Sequence, residues 1–206
     1  MRPPPPRRQP SRVLPATETT TKTSTARVSF TALAVLALVA VFVYGLDQLT
    51  KILIVNNFEV GETEPLIGTF LQLHFVKNPG AAFSLGEGST WIFAIIATAV
   101  AIFIVIFAPR IRSIGWAVLF GFLLGGNVGN LTDRLTREPG FGVGHVVDFV
   151  QVAGFPAIFN IADSAIVLSM VIFVILTIRG VRINGTKAEP KQKTDAATSD
   201  SPAGSV

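Results

Sequence analysis

Four long apolar stretches, each closed by a polar cluster, set the rhythm of this chain. They cover residues 28–46, 91–108, 114–131 and 165–178. The second and third hold no charged residue at all. The first three have the roughly 17–25 residues that a helix needs to cross a bilayer. The fourth is short alone and reaches that length when it starts at Asn160. The pattern predicts four transmembrane helices. Between them the period changes. In "FLQLHFV" (70–76), Leu71, Leu73 and Phe75 share one face and Gln72, His74 and Val76 the other, which predicts a half-buried strand. "HVVDFVQV" (145–152) is short and β-branched and also reads as a strand. The expected fold is therefore mainly α: four transmembrane helices, with a small β-sheet formed by the two outward loops that carry these strands, lying on the outer membrane surface. "KNPGAAFSLGEG" (77–88) turns at Asn78-Pro79-Gly80 and has room for a short helix.

Composition sharpens this reading. Half of the 206 residues are hydrophobic, only 15% are charged, and the mean hydropathy is +0.56. That is too apolar for an ordinary soluble domain. There is no cysteine, so disulfides, thiolate metal sites and a cysteine nucleophile are excluded. The net charge of +4 matters less than where it lies. Residues 1–29 hold six Lys or Arg, "PRIRS" (109–113) holds two, and the tail from Arg179 holds five. The loop 47–90 holds only Lys51 and Lys77 against five acids, and the loop 132–162 only Arg134 and Arg137. Basic flanks stay cytoplasmic. Both termini are therefore expected inside, and the two strand-bearing loops outside together. The expected organisation is a disordered, basic, Pro/Thr-rich extension (1–27), a four-helix membrane domain (28–180) and a polar, disordered tail (181–206). The first apolar run is too long for a signal peptide and lacks a cleavage site before Asp47, so it reads as an uncleaved helix.

The polar residues gather at the outward ends of the spans. Asp47 and Lys51, in "DQLTK", are four apart and share a helix face. Asn127, Asn130, Asp133 and Arg134 lie in "GGNVGNLTDR", Asp148 in "VVDF", and Asn160 and Asp163 in "FNIADS". Ionisable groups at one membrane depth suggest a functional site. Each also has a plainer reading. Asp47–Lys51 can be an interfacial ion pair. Gly121, Gly125 and Gly129 can be a packing face between helices. Asn160 and Asp163 have the spacing of a helix cap and its third residue, so Asp163 can be a capping-box acid. His74 reads as a polar-face strand residue, and His145 would face away from Asp148 in an extended backbone. No nucleophile-elbow serine is present, so a Ser/His/Asp hydrolase is unsupported.

Asp148 shifts the balance towards chemistry. An acid framed by apolar neighbours is unusual in a solvated loop. If its loop folds over the helix bundle, Asp148 meets Asp163. Two adjacent carboxylates share one proton. The helix N-terminus favours the charged form of Asp163, which leaves Asp148 as the proton holder. Such a pair can activate water and protonate a leaving group.

In this order and spacing, "DQLTK", "NPGAAFS", "GGNVGNLTDR", "VVDF" and "FNIADS" resemble the bacterial lipoprotein signal peptidases (signal peptidase II) over roughly residues 30–180. The resemblance implies a multi-pass enzyme of the bacterial inner membrane with its active site at the outer face. It implies an aspartic endopeptidase that removes the signal peptide of a diacylglyceryl-modified prolipoprotein, cutting just before the lipidated cysteine. Asp148 and Asp163 fall on the family's catalytic pair. Asp47, Lys51, Asn78, Asn130, Asp133, Arg134 and Asn160 fall in a supporting or substrate-binding set. No cofactor, metal or nucleic acid is expected. The expected partners are the prolipoproteins and membrane lipids, and the expected state is a monomer. A reading of another class is a small proton- or cation-handling transporter with an interfacial acidic site. Its weakness is that the acids cluster at one end and do not line a path through the bilayer.

Overall fold

The computed structural model describes Met1 and residues 28–80 and 90–186. The expectations for the extension 2–27, for the stretch 81–89 and for the tail beyond Thr186 lie outside the described residues.

Four helices form the body: α1 (Phe30–Asn57), α2 (Thr90–Phe107), α3 (Ile114–Thr136) and α4 (Ile161–Ile178). All four are long and apolar enough to cross a membrane. Three strands, β1 (Thr63–Ile67), β2 (Leu71–Asn78) and β3 (Val146–Val152), make one antiparallel sheet in the order β1-β2-β3. Both strands expected from the sequence are present and pair with each other, Val76 opposite Asp148 and Asn78 opposite Val146.

Helices α1 and α3 run past the apolar limits read from the sequence. Helix α1 continues beyond Leu46 to Asn57 and α3 beyond Leu131 to Thr136. The polar ends of both are therefore helical, and their side chains have fixed directions. Ser29 caps α1 by accepting from the Ala32 amide at 3.3 Å. At the opposite end of the bundle, Ala108–Arg110 forms a 3-10 turn. There Val181–Thr186, the first residues of the expected tail, turn back onto the turn between α2 and α3. The Ile183 carbonyl accepts from the Arg112 and Ser113 amides, and the Val181 carbonyl from Trp116 Nε1.

Strand β1 is an edge strand that the sequence hides. Pro65 removes a donor and reads as a strand breaker. The edge tolerates it, because among the described residues one side of β1 pairs with no strand, and the register shifts between Pro65 and Ile67. The turn into β2 uses Gly68 at φ +53°, a left-handed conformation that glycine adopts without strain.

Helix α3 is central and packs on α1, α2 and α4. The glycine spacing is a packing face, as the plainer reading held. A Cβ at Gly121 would meet Val39 and the Leu36 carbonyl, and one at Gly125 would sit 2.6 Å from the Ala40 carbonyl oxygen. Gly126, not singled out in the sequence, serves the other side. A Cβ there would lie 2.5 Å from the Ala162 carbonyl oxygen on α4. Small residues let these backbones approach closely, the usual source of helix association in lipid. Ile54, Phe75, Val147 and Phe149 form an apolar cluster that clamps the sheet to the end of α1.

Candidate active site

Strand alternation sets the geometry. Val147 and Phe149 point into the apolar cluster, so Val146 and Asp148, on the other face of β3, point into a cavity of about 760 Å³. That cavity is also lined by Asn78 and Gly80 after β2, by Asn130 and Arg134 of α3, and by Asp163 at the start of α4. Apart from Ser164, its remaining wall is apolar: Phe155, Ala157, Ile158, Phe159 and the α4 residues Ile166, Val167, Leu168 and Val171.

The two candidate carboxylates open onto this one cavity, joined by Asn160. The Asn160 side-chain Nδ2 donates to Asp148 Oδ1 at 2.7 Å. Its Oδ1 accepts from the Asp163 amide at 3.0 Å, and its backbone N–H donates to Asp163 Oδ2 at 3.2 Å. This is the capping box read from the sequence, with Asn160 as cap and Asp163 as third residue. Asn130 Nδ2 holds the other Asp163 oxygen, Oδ1, at 2.8 Å. Asn78 Nδ2 holds Asp148 Oδ2 at 2.8 Å. Three asparagines from three elements thus aim amide donors at the two acids.

Asp148 is 2% exposed. Burial, then the negative charge of Asp163, push its pKa up to about 7; the amides of Asn78 and Asn160 and the charge of Lys51 act in the opposite direction. Near neutral pH the Asp148 carboxyl therefore holds a proton for a large part of the time.

Asp47, Lys51 and Asp133 do not line the cavity. They form a buried ionic layer behind it. Lys51 Nζ lies 2.9 Å from Asp47 Oδ2 and 2.9 Å from Asp133 Oδ2, with all three side chains fully buried. Its third proton goes to Asn130 Oδ1 at 2.9 Å. The same oxygen accepts from Asn160 Nδ2 at 3.1 Å. With Oδ1 committed to two donors, Asn130 must turn its amide towards Asp163. Asp133 also accepts from Arg137 Nε at 2.6 Å and from the Val147 amide at 3.2 Å, which fixes β3 beside Asp148. Asp47 accepts from the Ala162 amide at 2.9 Å and so holds the first turn of α4. Each acid ties a different element to the layer.

Arg134 donates through Nη2 to the Gly80 carbonyl at 2.7 Å and lies over the Phe93 ring. Its Nη1 is buried and has no partner among the described residues. Three contributors had no role assigned from the sequence. Gln48 bridges Asp47 and the Gly129 carbonyl, Gly80 supplies the acceptor for Arg134, and Thr90 ties α2 to the Pro79 carbonyl at 2.6 Å. Gln48 lies inside "DQLTK" and Gly80 inside "NPGAAFS", so these two had a motif to flag them; Thr90 had none. Asn127 bonds the Ala97 carbonyl on α2 and serves packing. His74 pairs with Thr63 on the exposed sheet. His145 lines a separate cavity of about 270 Å³ with Lys77 and Glu138. Among the described residues, no three His, Asp or Glu side chains converge to hold a metal ion.

Residues 39–179 match the family model described as signal peptidase (SPase) II. The chain belongs to this family. A lipoprotein signal peptidase of Leifsonia xyli subsp. xyli is 54% identical over 200 residues, covering 97% of this chain and 91% of that protein. Another, of Rhodococcus jostii, is 46% identical over 74% of this chain and 76% of its own length. A solved structure described as a bacterial membrane enzyme superposes with a TM-score of 0.66 at 30% identity, over 80% of this chain and 98% of that one. A second structure described in the same way gives 0.64 at 30% identity, covering 75% and 97%. Four spanning helices and this family make the chain a multi-pass bacterial membrane protein and a membrane peptidase of the signal peptidase II family.

Proposed function

We propose that this signal peptidase II family member is an aspartic endopeptidase that cleaves diacylglyceryl-modified prolipoproteins just before the lipidated cysteine, with Asp148 and Asp163 as its catalytic pair. The observation that carries the reading is the placement of both carboxylates on one cavity, bridged by Asn160 and supplied with amide donors on every side.

Division of labour follows from the surroundings. Asp163 sits at the N-terminal turn of α4, where aligned backbone N–H groups favour an anion. It is the general base and takes a proton from a water held between the carboxylates. Asp148, buried and drawn up to about 7, carries the proton. It donates that proton to the scissile carbonyl oxygen as the water attacks. Collapse of the tetrahedral intermediate passes a proton to the leaving amine, and the pair returns to sharing one proton. Arg134 Nη1, which has no partner among the described residues, offers a charged donor to a peptide carbonyl in the same cavity. Asn78 steadies Asp148 from the β2 side.

The cavity suits this substrate. One wall is polar and carries the carboxylates; the other is apolar and continues down the face of α4, with Val167, Leu168 and Val171 exposed where lipid would lie. A peptide with acyl chains beside its scissile bond can enter sideways, chains against that wall and peptide bond against the acids. The strand-bearing loops and the active site face outward, and the termini are cytoplasmic, by the distribution of Lys and Arg. The protein acts as a monomer.

The test uses two forms of one prolipoprotein, with and without the diacylglyceryl group, presented to the purified protein in chelator. The reading predicts cleavage of the modified form alone, with the new N-terminus at the lipidated cysteine by mass spectrometry. Equal cleavage of both forms, or a cut elsewhere, would overturn the substrate assignment.

A further inference from the structure

The β1–β2 hairpin is built with opposite polarity at its two ends. On the β1 arm its base holds three acids, Glu59, Glu62 and Glu64, with Val60 the one aliphatic residue among 59–64. Its tip, 66–70, holds no charge and turns Leu66, Ile67 and Phe70 outward, 57%, 63% and 62% exposed. Exposed apolar residues clustered on a tight turn are a contact surface in search of a partner.

What lies next to the tip points to that partner. The Phe70 carbonyl accepts from the Ala153 amide at 2.9 Å, and Leu71 pairs with Val152. The tip is thereby fixed to the loop that carries Phe155. Phe155 is itself exposed, stacks edge-on against Phe159, and lines the large cavity. The same apolar wall holds Val167, Leu168 and Val171, which are exposed on the spanning helix α4. One apolar strip therefore runs from the lipid-facing side of a membrane helix, over the rim of the cavity, to the hairpin tip. A water-facing protein partner would leave that continuity, and the acid-to-apolar gradient along the hairpin, without explanation. A bilayer surface accounts for both: acids in water, apolar tip in the acyl boundary.

We infer that the β1–β2 hairpin tip is a membrane-inserted foot. Leu66, Ile67 and Phe70, with Phe155, dip into the leaflet on the sheet's side of the membrane. They hold the mouth of the cavity at the depth where acyl chains begin. The foot does not depend on which residues perform catalysis.

The chain has no cysteine of its own, so single labels can be placed without background. Ile67→Cys, Phe70→Cys and, at the base, Glu62→Cys would each be spin-labelled in the full chain and reconstituted into phosphatidylethanolamine/phosphatidylglycerol vesicles. Collision with dissolved oxygen and with a water-soluble nickel chelate reports depth. The foot predicts that oxygen reaches the labels at 67 and 70 better than nickel does, and that the order reverses at 62. Nickel access at 67 and 70 equal to that at 62 would put the tip in water and overturn the inference. Exclusion of both reagents, with broadening between labels, would mean a second copy covers the tip and would overturn it equally. If one tip variant fails to fold, the other still reads the depth.

Discussion

The Asn160 side-chain amide donates to Asp148 Oδ1 at 2.7 Å, while the oxygen of that same amide caps the helix that carries Asp163. Capping and candidate chemistry are therefore one arrangement. The capping box orients Asp163, and the residue that caps also fixes the opposing acid. An N-cap is worth about 0.5–2 kcal/mol of helix stability, so losing this one would disturb fold and site together.

The raised pKa of Asp148 yields two linked expectations. Its native value of about 7 lies above the 3.8 of an ordinary aspartate. The native state thus binds the proton more tightly than the unfolded chain. That stability is fully present below pH about 4 and is lost as pH rises to about 7, by about 1.4 kcal/mol per pH unit at most. Thermal unfolding of Asp148→Asn should lack this slope. On the proposed mechanism cleavage needs protonated Asp148, so its rate should fall as pH rises through about 7. In Asn78→Ala, loss of an amide that holds the pKa down should move that limb to higher pH. A pH–rate profile of both proteins reads it directly.

Lys51 is the hub of the buried layer, with Asp47, Asp133 and Asn130 as its three acceptors. In Lys51→Met, Asp47 is left buried without a cation. Removing one partner of such a pair typically costs about 3–5 kcal/mol, and a large drop in melting temperature in detergent is expected. The double variant Asp47→Asn/Lys51→Met, which removes both charges, should recover part of that loss. Equal melting temperatures for wild type and Lys51→Met would contradict the hub.

The α3 glycines carry a packing prediction. A Cβ at Gly126 would meet the Ala162 carbonyl on α4, and one at Gly125 the Ala40 carbonyl on α1. Backbone cannot yield as a flexible side chain does, so Gly125→Ala and Gly126→Ala should each destabilise by about 1–3 kcal/mol. A Gly140→Ala control, where a Cβ has open space, should unfold like the parent.

Much of this was legible in the sequence because lipid enforces long apolar runs. The four helices, both strands of the central pair, the Gly121/Gly125 face and the Asn160–Asp163 cap could all be read from spacing. The ends of α1 and α3 were not, since hydropathy stops at Leu46 and Leu131 while backbone hydrogen bonding continues. Strand β1 was hidden by Pro65, which only an edge position accommodates. The partition of the polar residues was legible in part: spacing paired Asp47 with Lys51, and the apolar frame of Asp148 pointed to Asp163. That Asp133 shares Lys51 with Asp47, away from the cavity, was not, because that contact joins distant elements. Likewise, no local pattern marks the Gly80 carbonyl as the acceptor for Arg134, because that pairing spans distant elements.

The central claim is that Asp148 and Asp163 are there for chemistry, and one comparison tests it most directly. Purified wild type, Asp148→Asn and Asp163→Asn would be given the same diacylglyceryl-modified prolipoprotein in chelator, with folding of each checked by thermal unfolding. The account predicts that wild type cleaves and that both folded variants lose cleavage by a factor of about 100 or more, the scale of general acid–base catalysis. Near-normal cleavage by either folded variant would reduce that residue to a cap or a strut and contradict the account.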